Sequence, residues 1–143
     1  MSQVSINLTF SGQAEAAFTY YKSVFGGEFN GLMRWSDMPA NPDSPVLTEA
    51  EKKQVMHVEL PIMDGFVLMG VDNVGSVGPK TVMGNNVTIC LNPTKREEAD
   101  RLFKSLSAGG SVVMPMQNMF WGDYYGELAD QFGIRWMINC HTK

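Results

Sequence analysis

The sequence predicts an α+β fold built from two βαβββ modules, and three observations support this prediction. Apolar and polar residues alternate over residues 4–10 and again over 87–92, with the period of two that is typical of a half-buried strand. A helical apolar pattern follows each of these strands and ends at paired glycines. The run Gly65–Met69 is echoed by Gly133–Met137. Because strand, helix and cap recur in the same order, the pattern indicates a duplicated unit.

The first module is predicted over about residues 1–74. Its helix carries apolar side chains at helical spacing before Gly26, namely Ala14, Ala17, Phe18, Tyr21 and Phe25. Three further strands are expected at 28–35, 55–61 and 66–72. The long loop 36–54 separates the first two of these strands and is of the kind that often carries a binding function. Within this loop, Thr48 and Glu51 form a capping box that predicts a short helix over 49–53.

The second module is predicted over about residues 84–143, after a glycine- and proline-rich linker at 72–85. Thr94 and Glu97 form a capping box that predicts the start of its helix, which closes at Gly109-Gly110. Its remaining strands are expected at 111–116, 124–129 and 134–140. We expect the two modules to form one domain of 143 residues around a shared cleft.

Composition excludes several classes of function. The chain has 15 acidic and 11 basic residues, and the net charge of -4 opposes binding to nucleic acid or to acidic lipid. No apolar run is long enough to cross a membrane, so we expect a cytoplasmic protein without a membrane partner. Cys90 and Cys140 are too few for a disulfide framework, and we expect two small buried thiols.

The strand pattern also predicts which side chains line the cleft. One helix per module can cover one sheet face, so alternate residues must point to the opposite side. This parity places Phe66, Leu68, Ile134, Trp136 and Ile138 under the helices. The side chains expected on the cleft side of the last strands are Val67, Met69, Val71, Arg135, Met137 and Asn139.

Several of these features together resemble a known family. They are the two βαβββ units, the motif Phe25-Gly26-Gly27, the strand His57–Leu60, the motif Trp121-Gly122-Asp123 and the run Asp130–Trp136. The chain resembles the PhnB-like branch of the vicinal oxygen chelate superfamily, which includes glyoxalases, bleomycin-resistance proteins and extradiol dioxygenases. The branch also carries the name 3-demethylubiquinone 3-methyltransferase. The resemblance implies a curved eight-stranded mixed sheet around the cleft, a homodimer and, in many relatives, a divalent metal.

The residues at the metal-binding positions of such relatives predict that this chain holds no metal and needs no cofactor. The resemblance to these relatives lays the four positions on Ser5, Met69, Asn86 and Met137. Hydroxyl and amide groups bind divalent ions weakly, and thioether sulfur prefers soft metals such as copper(I). The sequence also has no glycine-rich loop of the kind that binds a dinucleotide or methyl donor, so the methyltransferase name is not adopted as a function.

His57 and Glu59 are the exception, because residues two apart on a strand share a face. They could supply two metal ligands, or a base with its orienting carboxylate, or simply a polar strand face. His141, the second histidine, is expected to be solvated.

Three further residues have two interpretations each. Arg135 could clamp an anionic ligand or pair with Glu127 or Asp123. Trp121 could join Trp35 and the pair Tyr124-Tyr125 in an aromatic wall, or it could fill a core or a dimer interface. Asp123 could act as an acid or base if buried, or it could be a turn carboxylate after Gly122.

The function that this pattern favours is metal-independent binding of a small molecule in the cleft. The residues predicted to contact the ligand are His57, Glu59, Met69, Trp121, Asp123, Arg135, Met137 and Asn139. The alternative is a metal-dependent lyase, isomerase or dioxygenase of the glyoxalase type that uses His57 and Glu59. A third class is an interaction module that works through its dimer surface. The sequence assigns no catalytic residue.

Overall fold

The computed structural model describes residues 2–39, 41–75 and 78–141. Its internal contacts divide the chain into two compact units, Met1–Val82 and Met83–Lys143. The division falls inside the segment 72–85 that the sequence predicts as a linker.

The first unit contains one four-stranded mixed sheet. Its elements are β1 (Ile6–Phe10), α1 (Ala14–Phe25), β2 (Gly31–Arg34), a 3-10 turn (Trp35–Asp37), α2 (Glu49–Lys52), β3 (Val55–Ile62) and β4 (Phe66–Asp72). The strand order is β1-β4-β3-β2. Strands β1 and β4 are parallel, and the other neighbours are antiparallel.

The second unit repeats this topology. Its elements are β5 (Ile89–Leu91), α3 (Arg96–Ser107), β6 (Ser111–Asn118), β7 (Tyr124–Ala129) and β8 (Arg135–Cys140). The strand order is β5-β8-β7-β6, with β5 parallel to β8. The predicted α+β class with two βαβββ modules is confirmed, and its eight strands are arranged as two sheets of four. A positive-φ glycine precedes the last strand of each unit, at Gly65 (φ 94°) and Gly133 (φ 88°), where an L side chain would be strained.

One helix packs on one face of each sheet, and the alternation of burial follows the predicted strand parity. On β4, Leu68 is fully buried between the half-buried Val67 and Met69. The predicted burial of Phe66 is wrong, because this residue at the strand start is 41% exposed. On β8, Trp136 and Ile138 are fully buried, whereas Arg135 and Met137 are half-buried. The predicted burial of Ile134 is wrong, because this residue precedes the strand and is only half-buried. We call the face of each sheet that lies away from its helix the open face.

The helix starts agree with the sequence only in part. Thr48 and Glu51 form the predicted capping box of α2. The predicted box of α3 is wrong, because α3 begins at Arg96 with Lys95 as its N-cap and without a side-chain cap. At this helix start, Arg96 Cζ lies 4.4 Å from the centre of the Tyr124 ring, and the Arg96 side chain donates a hydrogen bond to Asn118 Oδ1.

Only one of the two cysteines is buried as predicted. Cys140 is buried under α3, whereas Cys90 is exposed on the open face of the three-residue edge strand β5. The alternation along β5 buries Ile89 and Leu91, so the residue between them must face outward. Within the described residues, no helix is long and apolar enough to span a bilayer.

Candidate functional site

The open face of the second sheet gathers most of the residues that the sequence predicts as ligand contacts. Strand register places Cys90 beside Met137, Met137 beside Glu127, and Glu127 beside Met114. On the same strands, Tyr125 lies opposite Asn139 and Ala129 lies opposite Arg135. The predicted residues Arg135, Met137 and Asn139 therefore follow one another along this face of β8.

Arg135 and Glu127 lie close together on this face but are only loosely paired. The Arg135 Nη2 atom is 3.9 Å from Glu127 Oε2, which is longer than a hydrogen bond. The two side chains are 24% and 28% exposed. The Arg135 Nε atom is buried and has no hydrogen-bond partner among the described residues. Of the two pairings considered from the sequence, the structure shows the one with Glu127.

Tyr125 fixes the other oxygen of the same carboxylate. Its hydroxyl donates a hydrogen bond to Glu127 Oε1. Burial and the neighbouring Glu127 charge raise the pKa of Tyr125 to about 12. Because Oε1 is held by Tyr125 and Oε2 faces Arg135, Glu127 has an orientation set from two sides.

Asp123 is a structural carboxylate at the turn between β6 and β7. It accepts hydrogen bonds from Asn139 Nδ2 at 2.9 Å, from the Trp121 side chain and from His141 Nδ1. Those hydrogen bonds, led by the one from Asn139, lower the pKa of Asp123 below its usual value. His141 is 85% exposed, in line with its predicted solvation, but its ring contacts Asp123. The turn interpretation of Asp123 therefore describes this geometry better than a free acid or base.

The aromatic residues divide between two places. Trp121 is half exposed, and its ring lies edge-on to Tyr125 with 6.2 Å between the ring centres. Trp35 is buried in the first unit, where its Nε1 donates to the Asp72 carbonyl oxygen at 2.9 Å. Trp35 is therefore a core residue of the first unit, whereas Trp121 and Tyr125 contribute aromatic surface at the second open face.

The open face of the first sheet carries the other predicted residues. His57 Nε2 lies 2.9 Å from Glu59 Oε1, and the two side chains are 38% and 35% exposed. Register places Glu59 beside Met69 on one side and Gly31 on the other. His57 and Glu59 therefore share a face and bond to each other, as the spacing of two predicts.

Sequence reasoning missed the pair Tyr125-Glu127, although a signal for it exists. Matching Gly65–Met69 to Gly133–Met137 makes Met69 and Met137 counterparts, and each has a glutamate beside it, Glu59 or Glu127. The residue two positions before each glutamate is its hydrogen-bond partner, His57 or Tyr125. The repeat thus places one oriented carboxylate on each open face.

The residues present do not fit a hard divalent metal. Register pairs Ile6 with Leu68 and Ile89 with Trp136, so the counterpart of Ser5 is Thr88 and not the predicted Asn86. Two hydroxyl groups and two thioethers therefore occupy the four positions, and hard divalent ions prefer other ligands. In the described part of the chain, no three His, Cys, Asp or Glu side chains are grouped for metal binding.

We expect Tyr125 to keep its proton far above the usual range for a phenol. A folded pKa of about 12, against roughly 10 in an unfolded chain, favours the neutral form in the fold. The resulting stabilisation is complete below pH ~10 and is lost as pH rises from about 10 to about 12. Tyrosinate absorbance titrations of the native protein and Tyr125→Phe should differ by one step near pH 12. A difference step near pH 10 would contradict this assignment.

The comparisons with known proteins agree with the fold and identify the family. A family model described as 3-demethylubiquinone-9 3-methyltransferase matches residues 2–139. The chain belongs to this family, whose PhnB-like members share the glyoxalase-like α+β fold. The structure of protein PA1353 from Pseudomonas aeruginosa is 33% identical, covers 100% of both chains and gives a TM-score of 0.83.

Two more distant structures show the fold alone. A PhnB protein from Bacillus cereus is 22% identical over 97% of this chain and 99% of its own, with a TM-score of 0.75. A glyoxalase/bleomycin resistance protein/dioxygenase domain from Frankia is 12% identical over 99% of each chain, with a TM-score of 0.66. These likenesses support the predicted relation to the glyoxalase group of folds.

Proposed function

We propose that this protein binds a small molecule on the open face of the second sheet and needs no divalent metal to do so. One observation carries the proposal. The Arg135 Nε atom is buried without a hydrogen-bond partner among the described residues, and the nearest acidic oxygen to the guanidinium lies at 3.9 Å. A buried N–H group without an acceptor is costly, and a ligand oxygen placed beside the guanidinium would supply the missing acceptor.

The neighbouring side chains indicate what else the ligand carries. Arg135 and Asn139 are four residues apart on β8, so the surface between them is about 13 Å long. Met137 lies in the middle of this span, and Trp121 and Tyr125 lie at its far end. Methionine and aromatic rings favour a flat apolar group. We therefore expect a planar aromatic or quinone-like compound with a carboxylate or carbonyl oxygen at one end.

The other residues predicted to contact the ligand have a structural role in this proposal or stay untested predictions. Asp123 and Asn139 bond to each other and hold the turn that carries Trp121. His57, Glu59 and Met69 lie on the open face of the first sheet, and their role as ligand contacts stays a prediction. Homodimer formation and a cytoplasmic location also stay predictions.

The metal-dependent alternative is less favoured by the side chains around His57 and Glu59. These two residues are hydrogen-bonded to each other, and the same face carries thioethers instead of a third hard ligand. A lyase, isomerase or dioxygenase of the glyoxalase type would need a Lewis acid at such a site. Elemental analysis of protein purified without chelators separates the two proposals. One equivalent of iron, nickel, zinc or manganese per chain, lost in His57→Ala, would favour the enzyme.

We expect Arg135→Gln to weaken ligand binding by roughly 10- to 150-fold, which corresponds to the about 1.5–3 kcal/mol of a hydrogen bond to a charged group. The measurement is calorimetric titration with a panel of planar aromatic carboxylates and quinones. Arg101→Gln is the matched control, because Arg101 also has a glutamate, Glu98, at 3.8 Å but lies on the exposed side of α3.

Three results would contradict the proposal or part of it. Equal affinities of the Arg135→Gln and Arg101→Gln variants would show that the Arg135 guanidinium makes no ligand contact. Turnover of a compound in the panel would show that binding is only one step of a reaction. An unchanged affinity in Trp121→Ala would remove the aromatic end of the proposed site.

A further inference from the structure

A bulge in the first sheet brings methionine and histidine side chains together on its open face. Met33 of β2 pairs with His57, but the next residue, Arg34, pairs with Val55, so Met56 is the extra residue. Val55 and Val58 are fully buried, whereas Met56 and His57 are both half-buried. The bulge therefore turns two consecutive side chains toward the open face, where strict alternation would allow one.

Two further methionines flank this pair from the neighbouring strands. Met33 lies directly opposite His57 and is 44% exposed. Cβ atoms of directly opposite residues are about 4.5–5.5 Å apart, so both side chains can reach one atom. Met69 of β4 lies opposite Glu59, which puts it diagonally across from His57, at a separation that long side chains bridge. We call Met33, Met56, His57 and Met69 the thioether–imidazole cluster.

Glu59 sets the tautomer of His57, the histidine of this cluster, so that its Nδ1 atom can bind a metal. A carboxylate only accepts hydrogen bonds, so the 2.9 Å contact between Glu59 Oε1 and His57 Nε2 requires the proton on Nε2. The lone pair of the neutral ring is then on Nδ1. No other hydrogen bond of this ring occurs in the part of the chain that the structure describes. A histidine that ligates a metal commonly donates its second N–H to a carboxylate in this way.

We propose that the thioether–imidazole cluster binds a soft monovalent cation, copper(I), through His57 Nδ1 and the sulfur atoms of the methionines. Thioether sulfur selects copper(I) over hard divalent ions, and imidazole suits copper as well. An open cavity of about 430 Å³ reaches the cluster at Met69, beside Glu59 and Ser5. Met33 is itself 44% exposed, so an ion can approach the cluster from solvent. The proposal is independent of ligand binding on the second sheet, since it uses other residues of the other unit.

The experiment measures copper(I) affinity under anaerobic ascorbate by competition with bicinchoninate. Because thiolates also bind copper(I), all proteins carry Cys90→Ser, which removes the exposed cysteine. We expect one equivalent of copper(I) in this protein and none in the double variant Met33→Leu/Met69→Leu. The matched control is Met38→Leu/Met83→Leu, which removes two thioethers outside the cluster and should keep one equivalent.

A second readout tests the cluster residue by residue and does not depend on the affinity. Silver(I), a redox-stable probe for the same ligands, should shift the methyl NMR signals of Met33, Met56 and Met69 and leave that of Met83 in place.

Glu59→Ala should weaken copper(I) binding by roughly 10- to 100-fold through loss of the carboxylate behind His57. Glu59→Gln keeps an acceptor oxygen and should restore most of the affinity.

Three results would overturn the proposal. Equal copper(I) stoichiometry in the two double variants would show that binding is a general property of methionine. Methyl shifts that are spread over all methionines would give the same conclusion. Zinc binding at the same affinity as copper(I) would show that the site does not select soft ions.

Discussion

We expect Asp72→Ala to lower the free energy of unfolding by roughly 3 to 5 kcal/mol, because a buried charged acceptor of three backbone hydrogen bonds is lost. Asp72 is 1% exposed. Its Oδ1 accepts from the N–H groups of Gly12 and Ala14 at 2.9 Å, and its Oδ2 accepts from Val55 N–H at 3.0 Å. One residue at the end of β4 thus joins the start of α1 to the start of β3.

The N-terminus of α1 explains why this carboxylate matters. Gln13, the N-cap residue, makes no side-chain capping bond, so Asp72 supplies the acceptor from another strand. Asp72→Asn keeps one acceptor oxygen and should cost less than Asp72→Ala. Asp64→Ala removes an exposed aspartate and serves as the control. Urea unfolding measures all three, and equal stabilities of Asp72→Ala and Asp64→Ala would contradict this account.

The second large effect is expected at Gly70, where the Phe18 ring of α1 packs directly against the first sheet. A Cβ atom on Gly70 would stand 2.3 Å from Phe18 Cε1 and 2.8 Å from Phe18 Cζ. Phe18 is fully buried between Phe10 and Tyr21, so its ring has little room to move. Gly70→Ala should therefore cost about 1–3 kcal/mol by overpacking, or more if α1 must shift.

A double-mutant cycle separates overpacking from a general effect of alanine in a strand. Phe18→Leu removes the atoms that clash, so Gly70→Ala should cost much less in that background. Gly31→Ala is the matched control, because Gly31 also lies in a strand and a Cβ atom added there would meet nothing within 4 Å. Thermal unfolding of the four proteins of the cycle measures the coupling. Additive effects of the two substitutions would show that Phe18 and Gly70 do not clash.

Much of the fold follows from local pattern, and the exceptions have physical reasons. The spacing of Ala14, Phe18 and Phe25 predicts α1 with its observed ends, because the apolar positions of that helix recur at helical spacing between them. The role of Asp72 could not be predicted, since its partners are 58 and 17 residues away along the chain. The bulge at Met56 is equally hard to predict, because a bulge shifts parity without any change in composition.

For the candidate site, the sequence predicts which side chains share a face but not which partners they contact. Parity along β8 places Arg135, Met137 and Asn139 on one face, and the structure agrees. The partners of these residues depend on which residue of β7 lies opposite each one, and that register is a tertiary property. The sequence therefore suggests Glu127 as one partner of Arg135, but it does not indicate the bond between Glu127 and Tyr125.

Titration of chelator-treated protein tests the central claim most directly. The claim is that the second open face binds a planar compound with an acceptor oxygen through Arg135, without a divalent metal. After dialysis against EDTA, we expect calorimetry to give the same affinity for such a compound as before, and a loss of that affinity in Arg135→Gln. If binding disappears with the chelator and returns on addition of a divalent metal, the claim is wrong.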